Sequence, residues 1–352
     1  MHDPTTLCSP GPNEKFSINI INVVVASLSL IGSILTIISY SIKKYRKYRE
    51  IKAQQQQNQS TYNHFQNNLL QTPNGNSSFS SYSTNSGGSP SKSNSPSSKL
   101  PDLIFFLAIS DFFTALCIII SQAYLIGNIK SYSAQTLLSN YLLFSPCILF
   151  RGIIQFFFLS TFFWTTCIAY YLYHQLSSPD KEKHLLYIFH LVSYGIPLII
   201  VMGLGLSNSF IEDPSTGWCE SGKEFEFIFW FLPLFLCVAL CAFYYIRLKR
   251  LFRLKFEYRL QVNERLKQLD NTISRRLTLY IVVFIVCWTP DIIQHFISFF
   301  STCNFYPLML VQNVLSPAQG IFNFFVFSIT NKVVTINAPN IAKESKRLLS
   351  SI

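Results

Sequence analysis

The chain has 352 residues, of which 49% are hydrophobic and only 13% charged, with 33 Phe and 18 Tyr. Soluble domains carry about 25% charged residues, so one or two water-soluble domains are excluded. The formal net charge of +11 does not mark a nucleic-acid binder, because the cations gather in the loops between long apolar blocks rather than on one basic segment.

A bilayer's hydrocarbon layer is roughly 30 Å thick, which an α-helix crosses in about 20 apolar residues. Seven blocks reach that length, at 18–42, 102–126, 146–173, 185–206, 227–246, 277–300 and 306–330. The expected fold is an all-α membrane protein, a bundle of seven transmembrane helices with the N-terminus outside and the C-terminus cytoplasmic. Residues 1–17 form a short polar extracellular segment with no basic region ahead of a brief apolar core, so the first helix is expected to target itself.

Orientation follows from the cations. Lys and Arg number 8 in 43–101, 2 in 174–184, 10 in 247–276 and 4 in 331–352. The opposite loops hold only Lys15, Lys130 and Lys223, and Arg151 lies inside a helix. Basic residues flanking helices stay cytoplasmic. The run 43–49 (Lys-Lys-Tyr-Arg-Lys-Tyr-Arg) directly after the first helix is the strongest local determinant, and it also suits anionic lipid.

Loop 43–101 passes from Gln54-Gln55-Gln56-Gln57 through Asn-rich sequence to a stretch in which 12 of residues 77–98 are Ser. It has too few apolar residues to fold alone and is expected to be disordered and cytoplasmic. Ser89-Pro90 and Ser95-Pro96 are candidate phosphorylation sites within it. The only Asn-x-Ser/Thr sequons, at Asn58 and Asn76, lie in the same loop.

The second helix carries Asp111 about 14 Å from its inner end. The third begins at Cys147 and places Arg151 one turn further in. Cys219 sits in the loop between the fourth and fifth helices, and a Cys147–Cys219 bridge would tie that loop over the bundle mouth, on the oxidising face. Cys8 with Cys303 is a second pairing on that face. Cys117, Cys167, Cys237, Cys241 and Cys287 fall inside helices as small apolar fillers.

No Gly or Pro occurs between Pro233 and Pro290. Helices five and six are therefore expected to extend into the basic cytoplasmic loop 247–276. Val262, Leu266, Leu269 and Ile273 offer an apolar stripe to join the extensions. The sixth helix holds Trp288, Pro290, Asp291, Gln294 and His295. Pro290 is expected to create a hinge beside Trp288. The seventh carries Gln319 and Asn323, and Asn323 lies about 10 Å in from the inner end, where it can meet Asp111. A tail, 331–352, closes the chain.

Local strings narrow the family. Leu107-Ala108-Ile109-Ser110-Asp111, Trp218-Cys219 and Cys287-Trp288-Thr289-Pro290 resemble G-protein-coupled receptors. The strings 164–170 (Trp-Thr-Thr-Cys-Ile-Ala-Tyr) and 315–323 (Leu-Ser-Pro-Ala-Gln-Gly-Ile-Phe-Asn) resemble the slime-mould cyclic-AMP receptors and their receptor-like relatives, over roughly 18–42 and 100–330. The sequence departs from the rhodopsin-like class, with Tyr170-Tyr171-Leu172-Tyr173-His174 in place of Asp-Arg-Tyr and no Asn-Pro-x-x-Tyr in the seventh helix. It also lacks a Ser-rich tail, holding only Ser345, Ser350 and Ser351 there.

The resemblance implies a cell-membrane receptor with two partners beyond the bilayer, an extracellular small-molecule ligand and a heterotrimeric G protein. Buried membrane charges are functional candidates. Arg151, Asp291, Gln294 and His295 are the candidate ligand site, with Arg151 suited to a cyclic nucleotide's phosphate. Arg151 can equally snorkel, or pair with Asp291 or Glu226. Asp111, Trp288, Pro290, Gln319 and Asn323 are the candidate activation switch, against a static interhelical staple. Arg247, Lys249, Arg250, Arg275 and Arg276 are the candidate G-protein rim, against a pure topology signal.

An enzyme is not expected: there is no phosphate-binding Gly loop, no metal-ligand cluster and no cofactor motif, and a retinal protein would need a Lys within 306–330. The rivals are a seven-helix small-solute transporter and a Frizzled- or secretin-like receptor. Helices one to three show no repeat in five to seven, and 17 outer residues cannot hold a large ligand domain.

Overall fold

A computed structural model describes residues 12–70, 100–128, 146–177, 184–207, 209–212, 219–262, 264–300 and 306–329. These divide between two compact units, Met1–Ile37 with Asp102–Ile352, and Ile38–Pro101. The larger unit is helical. Helix α1 is Pro12–Leu70, α2 Leu100–Asn128 and α3 Pro146–Ser177. Helix α4 comprises Leu185–His190, a π-helical turn Leu191–Gly195 and Ile196–Leu206. An antiparallel ribbon follows, β1 (Phe210–Glu212) pairing Glu212 opposite Cys219 of β2 (Cys219–Ser221). Helix α5 comprises Lys223–Glu226, a π-helical turn Phe227–Phe231 and Leu232–Val262. Helix α6 is Glu264–Phe300, α7 Tyr306–Leu315 and α8 Gln319–Ile329.

Both π turns have the same local cause. Pro197 and Pro233 each follow two residues behind a π turn. Proline has no N–H to give the carbonyl four residues back, and its ring pushes that carbonyl aside. Those carbonyls, of Ser193 and Phe229, fall within the two turns, which widen instead of breaking.

Among the described residues, six helices are long and apolar enough to cross a membrane, spanning 16–57, 100–124, 149–175, 185–206, 224–251 and 278–297. The block 306–330, expected as one helix, is divided at Ser316–Ala318, where Pro317 interrupts the backbone ladder. Pro290, by contrast, lies within an unbroken α6, and Thr289 Oγ donates to the Ile285 carbonyl at 2.6 Å beside it.

Helix α1 shows how the core is arranged. On one face Asn22, Ala26, Ser29, Ser33 and Thr36 are buried, while Val24, Leu28, Ile31 and Leu35 are exposed. Both sets step by three and four residues, the helix period. The small and polar face is inside and the branched apolar face outside, the reverse of a water-soluble helix and the arrangement lipid favours. Helix α3 is central, packing against α4, α5 and α6, while α5 packs on α6 and α6 on α7.

In the smaller unit α1 continues through Leu70, so the Gln-rich stretch to that point is helical where irregular chain was expected. Gln, Lys, Arg, Glu and Ala are good helix formers, and they extend a helix already nucleated. Residues 71–99 lie outside the described residues.

Candidate functional site

The end of the bundle where α1 begins is taken as the top. Near it, α5 and α6 bring three ionisable groups together with Arg151 of α3. Arg151 meets Glu226 at 3.3 Å, and His295 meets Glu226 at 3.2 Å and Asp291 at 3.6 Å. Asp291 also accepts the Trp230 indole N–H at 2.9 Å and a hydrogen bond from the Gln312 amide. The guanidinium lies 5.7 Å from the Trp230 ring. Gln294, three residues after Asp291 on α6, is buried on the same helix face. Of the two partners the sequence allowed for Arg151, the structure selects Glu226.

Other helices reach the same level. Asn22 of α1 donates to Asn313 of α7 at 2.9 Å. Ala26, one turn below Asn22, packs with Ile118 of α2 and Ile154 of α3. Gln122, one turn above Ile118, and Gln155, beside Ile154, are buried, at 0% and 1% exposure. The rings of Tyr124 and Phe150, 6.2 Å apart, hold α2 and α3 in this register. A polar layer thus crosses α1, α2, α3, α5, α6 and α7.

Below it lies an aromatic floor. The Trp288 ring stands edge-on to Phe162 at 4.4 Å and Phe158 at 5.1 Å, and both Phe rings also meet Trp230. Such edge contacts are worth about 1 kcal/mol each beyond area burial. The Trp288 indole N–H donates to Gln319 at 2.6 Å. Lower still, the Asn323 amide donates to Asp111 at 2.8 Å. Asp111, Trp288, Gln319 and Asn323 therefore form one descending series, and Pro290 lies between Trp288 and Asp291.

Helices α7 and α8 are the common thread. Asn313 pairs with Asn22, and Gly320 N–H donates to Ser29 Oγ at 3.1 Å. Both pairs are 291 residues apart, so α1 runs parallel to α7 and α8 in constant register across the Ser316–Ala318 turn. The approach is close: a Cβ on Gly32 would stand 2.7 Å from the Ile321 Cα, and one on Gly320 would stand 2.7 Å from Ser33 Oγ. Only glycine fits at either position.

At the bottom, Arg247, Lys249 and Arg250 are exposed on α5, with Arg247 over Phe243 at 5.2 Å and Lys249 over Tyr245 at 5.1 Å. The backbones of α5 and α6 continue to Val262 and from Glu264, as the absence of Gly and Pro predicted. The side chains of Arg275, Arg276, Val262, Leu266, Leu269 and Ile273 lie outside the described residues. So do those of Cys147, near the start of α3, and Cys219, at the start of β2, and all of Cys8 and Cys303. Among the described residues, no group of His, Cys, Asp and Glu is arranged to hold a metal ion.

Sequence reading missed Trp230, Gln312, Asn22, Asn313, Gln122 and Gln155 as members of the polar layer. Glu226 was assigned one residue outside its helix. Amides recurring near the same ends of apolar blocks were the available signal, since buried membrane polar groups mark packing or function.

A family model described as 7 transmembrane receptor (Secretin family) matches residues 103–323. The secretin-like class, a rival above, thus enters as the description of the matching family. The chain is 54% identical over 99% of its length, and 99% of the relative's, to cyclic AMP receptor-like protein C of Dictyostelium discoideum. It is 30% identical to cyclic AMP receptor-like protein B of the same organism, over 66% of this chain and 51% of that one. Among solved structures, squid rhodopsin superposes with a TM-score of 0.58 at 12% identity, covering 95% of this chain and 87% of that chain, a likeness of fold. With its apolar helices the chain is a multi-pass membrane protein, and it belongs to the seven-transmembrane receptors and, among them, to the cyclic-AMP-receptor-like family of G-protein-coupled receptors.

Proposed function

We propose that the chain is a receptor that binds an extracellular small polar ligand in the top layer and activates a heterotrimeric G protein from the bottom. The observation that carries this reading is the polar series on α7 and α8. It starts at Gln312 on Asp291, passes through Gln319 on Trp288 and ends at Asn323 on Asp111. A ligand that pulls on Asp291 or His295 biases α6 at Pro290 and, through Trp288, the contacts below. Helices α7 and α8 together make the seventh crossing, with the N-terminus outside and the C-terminus cytoplasmic. The ends of α5 and α6, with Arg247, Lys249, Arg250, Arg275 and Arg276, form the rim that receives the G protein. A Cys147–Cys219 bridge closes the outer loop.

The decisive experiment measures nucleotide exchange on a heterotrimeric G protein with reconstituted receptor while cyclic nucleotides and other small secreted metabolites are screened. Ligand-dependent exchange is expected; flux of a solute without exchange would replace the receptor by a transporter. Orientation has its own probe, because Asn58 and Asn76 stay unglycosylated if their loop is cytoplasmic. A glycan on either reverses the topology. Peptide mapping without reductant is expected to link Cys147 to Cys219, and two alkylatable thiols on correctly folded surface protein would remove that bridge.

A further inference from the structure

The top layer contains more polar groups than it pairs. Among the described residues, both amide atoms of Gln122, the carbonyl oxygen of Gln155 and the Arg151 Nε are buried and have no hydrogen-bond partner. Its charges, by contrast, are matched. Two carboxylates, Glu226 and Asp291, face one guanidinium and one imidazole. With both acids ionised, these four groups carry no net positive charge whichever form His295 takes. Glu226 occupies one terminal nitrogen of the Arg151 guanidinium, and it holds His295 as well.

We propose that this layer takes an uncharged ligand with adjacent donor and acceptor groups, of the carboxamide or nucleobase kind, whose edge pairs with Gln122 and Gln155. Glu226 acts as a built-in counter-ion that keeps anions off Arg151. This deepens the receptor reading by fixing the ligand's class. An amide can donate and accept at once, so two orphaned amides suit a neutral edge bearing both functions. An anion would instead have to displace Glu226 from Arg151, leaving a partly buried carboxylate without its guanidinium.

The test is thermal melting of the purified full-length protein, which does not depend on G-protein coupling and so fails separately from the receptor reading. Cyclic AMP and adenosine are the probes, alike in base and different in charge. Wild-type protein is expected to show no saturable shift with cyclic AMP. Glu226→Gln, which keeps shape but releases Arg151, is expected to gain a saturable rise of about 3 °C at ten times Kd with cyclic AMP and none of that gain with adenosine. A saturable cyclic-AMP shift in the wild type overturns the proposal, as does a well-folded Glu226→Gln with no gain. The amides are tested without any ligand. If they are held for a ligand, Gln122→Leu and Gln155→Leu each raise the melting temperature by about 2 °C, because a polar group with no protein partner is removed. A fall in both shows that the amides serve the resting fold, and the ligand class assigned to them is then wrong.

Discussion

The top polar layer and the lower α1–α8 seam are built from similar residues but on opposite terms. Below, the contacts are discrete pairs, Asn323 on Asp111 and Gly320 N–H on Ser29, with the small Ser33 hydroxyl buried beside them without a partner among the described residues. The helices there approach until only glycine fits. Above, polar groups from six helices gather, and several buried atoms have no protein partner. In a bilayer an unsatisfied polar group costs more than it does near water. Close approach with mostly paired groups is therefore what a packing contact looks like, and a gathering of large unpaired amides is what a site looks like.

The sharpest way to break this contrast is to unpair the lower region. Asn323→Leu leaves the Asp111 carboxyl buried without its donor, and should cost about 3 kcal/mol of stability, read by thermal denaturation in detergent. Adding Asp111→Leu should restore most of that loss, since the cost lies in the orphaned group. Additive losses in the double variant would mean that Asp111 has other partners.

Next comes the seam. Gly32→Ala places a methyl against the Ile321 backbone, which cannot swing aside like a side chain, and about 2 kcal/mol should be lost. Gly203, whose added Cβ would meet nothing within 4 Å, is the control: Gly203→Ala should be neutral or slightly stabilising. Equal losses at both would show that helix propensity, not close approach, is being measured.

Trp288→Phe is gentler. It keeps an aromatic ring against Phe162 but removes the N–H given to Gln319 and part of a buried ring, for a loss of about 1.5 kcal/mol. If the indole holds α6 to α8 in the resting state, basal nucleotide exchange rises in this variant. Unchanged basal exchange makes the contact a staple.

Much of this was legible in the sequence because membrane helices follow from composition and length alone. The Asp111–Asn323 meeting followed from counting residues inward from two helix ends, a calculation that depends only on rise per residue. The choice of Glu226 over Asp291 for Arg151 did not follow. It depends on where α5 begins and on the π turn at Phe227–Phe231, which shifts side chains by a fraction of a turn. The Gly32–Gly320 approach was hidden for another reason: a glycine in an apolar block looks the same whether it faces lipid, as Gly203 does, or another backbone. The helical course of α1 past residue 54 was missed because composition argues about independent folding, while a helix can simply be extended.

The smallest stability effect belongs to the basic rim, and it decides where the contrast between regions ends. Arg247 and Arg250 are exposed at the bottom of α5, and exposed cations contribute little to stability. Removing them together with Arg275 and Arg276 should move the melting temperature by less than about 1 °C. If their role is only to fix orientation, the 8 Lys and Arg of 43–101 remain to do that. Surface level and the unglycosylated state of Asn58 and Asn76 should therefore persist in the Ala variants. Recruitment of a G protein, measured in cells by proximity to a labelled α-subunit, is expected to fall about tenfold, the loss of roughly 1.4 kcal/mol of interface electrostatics. Recruitment that survives while surface level falls would assign these cations to insertion. The receiving surface would then have to lie among the apolar side chains between α3, α5 and α6, where charge plays no part.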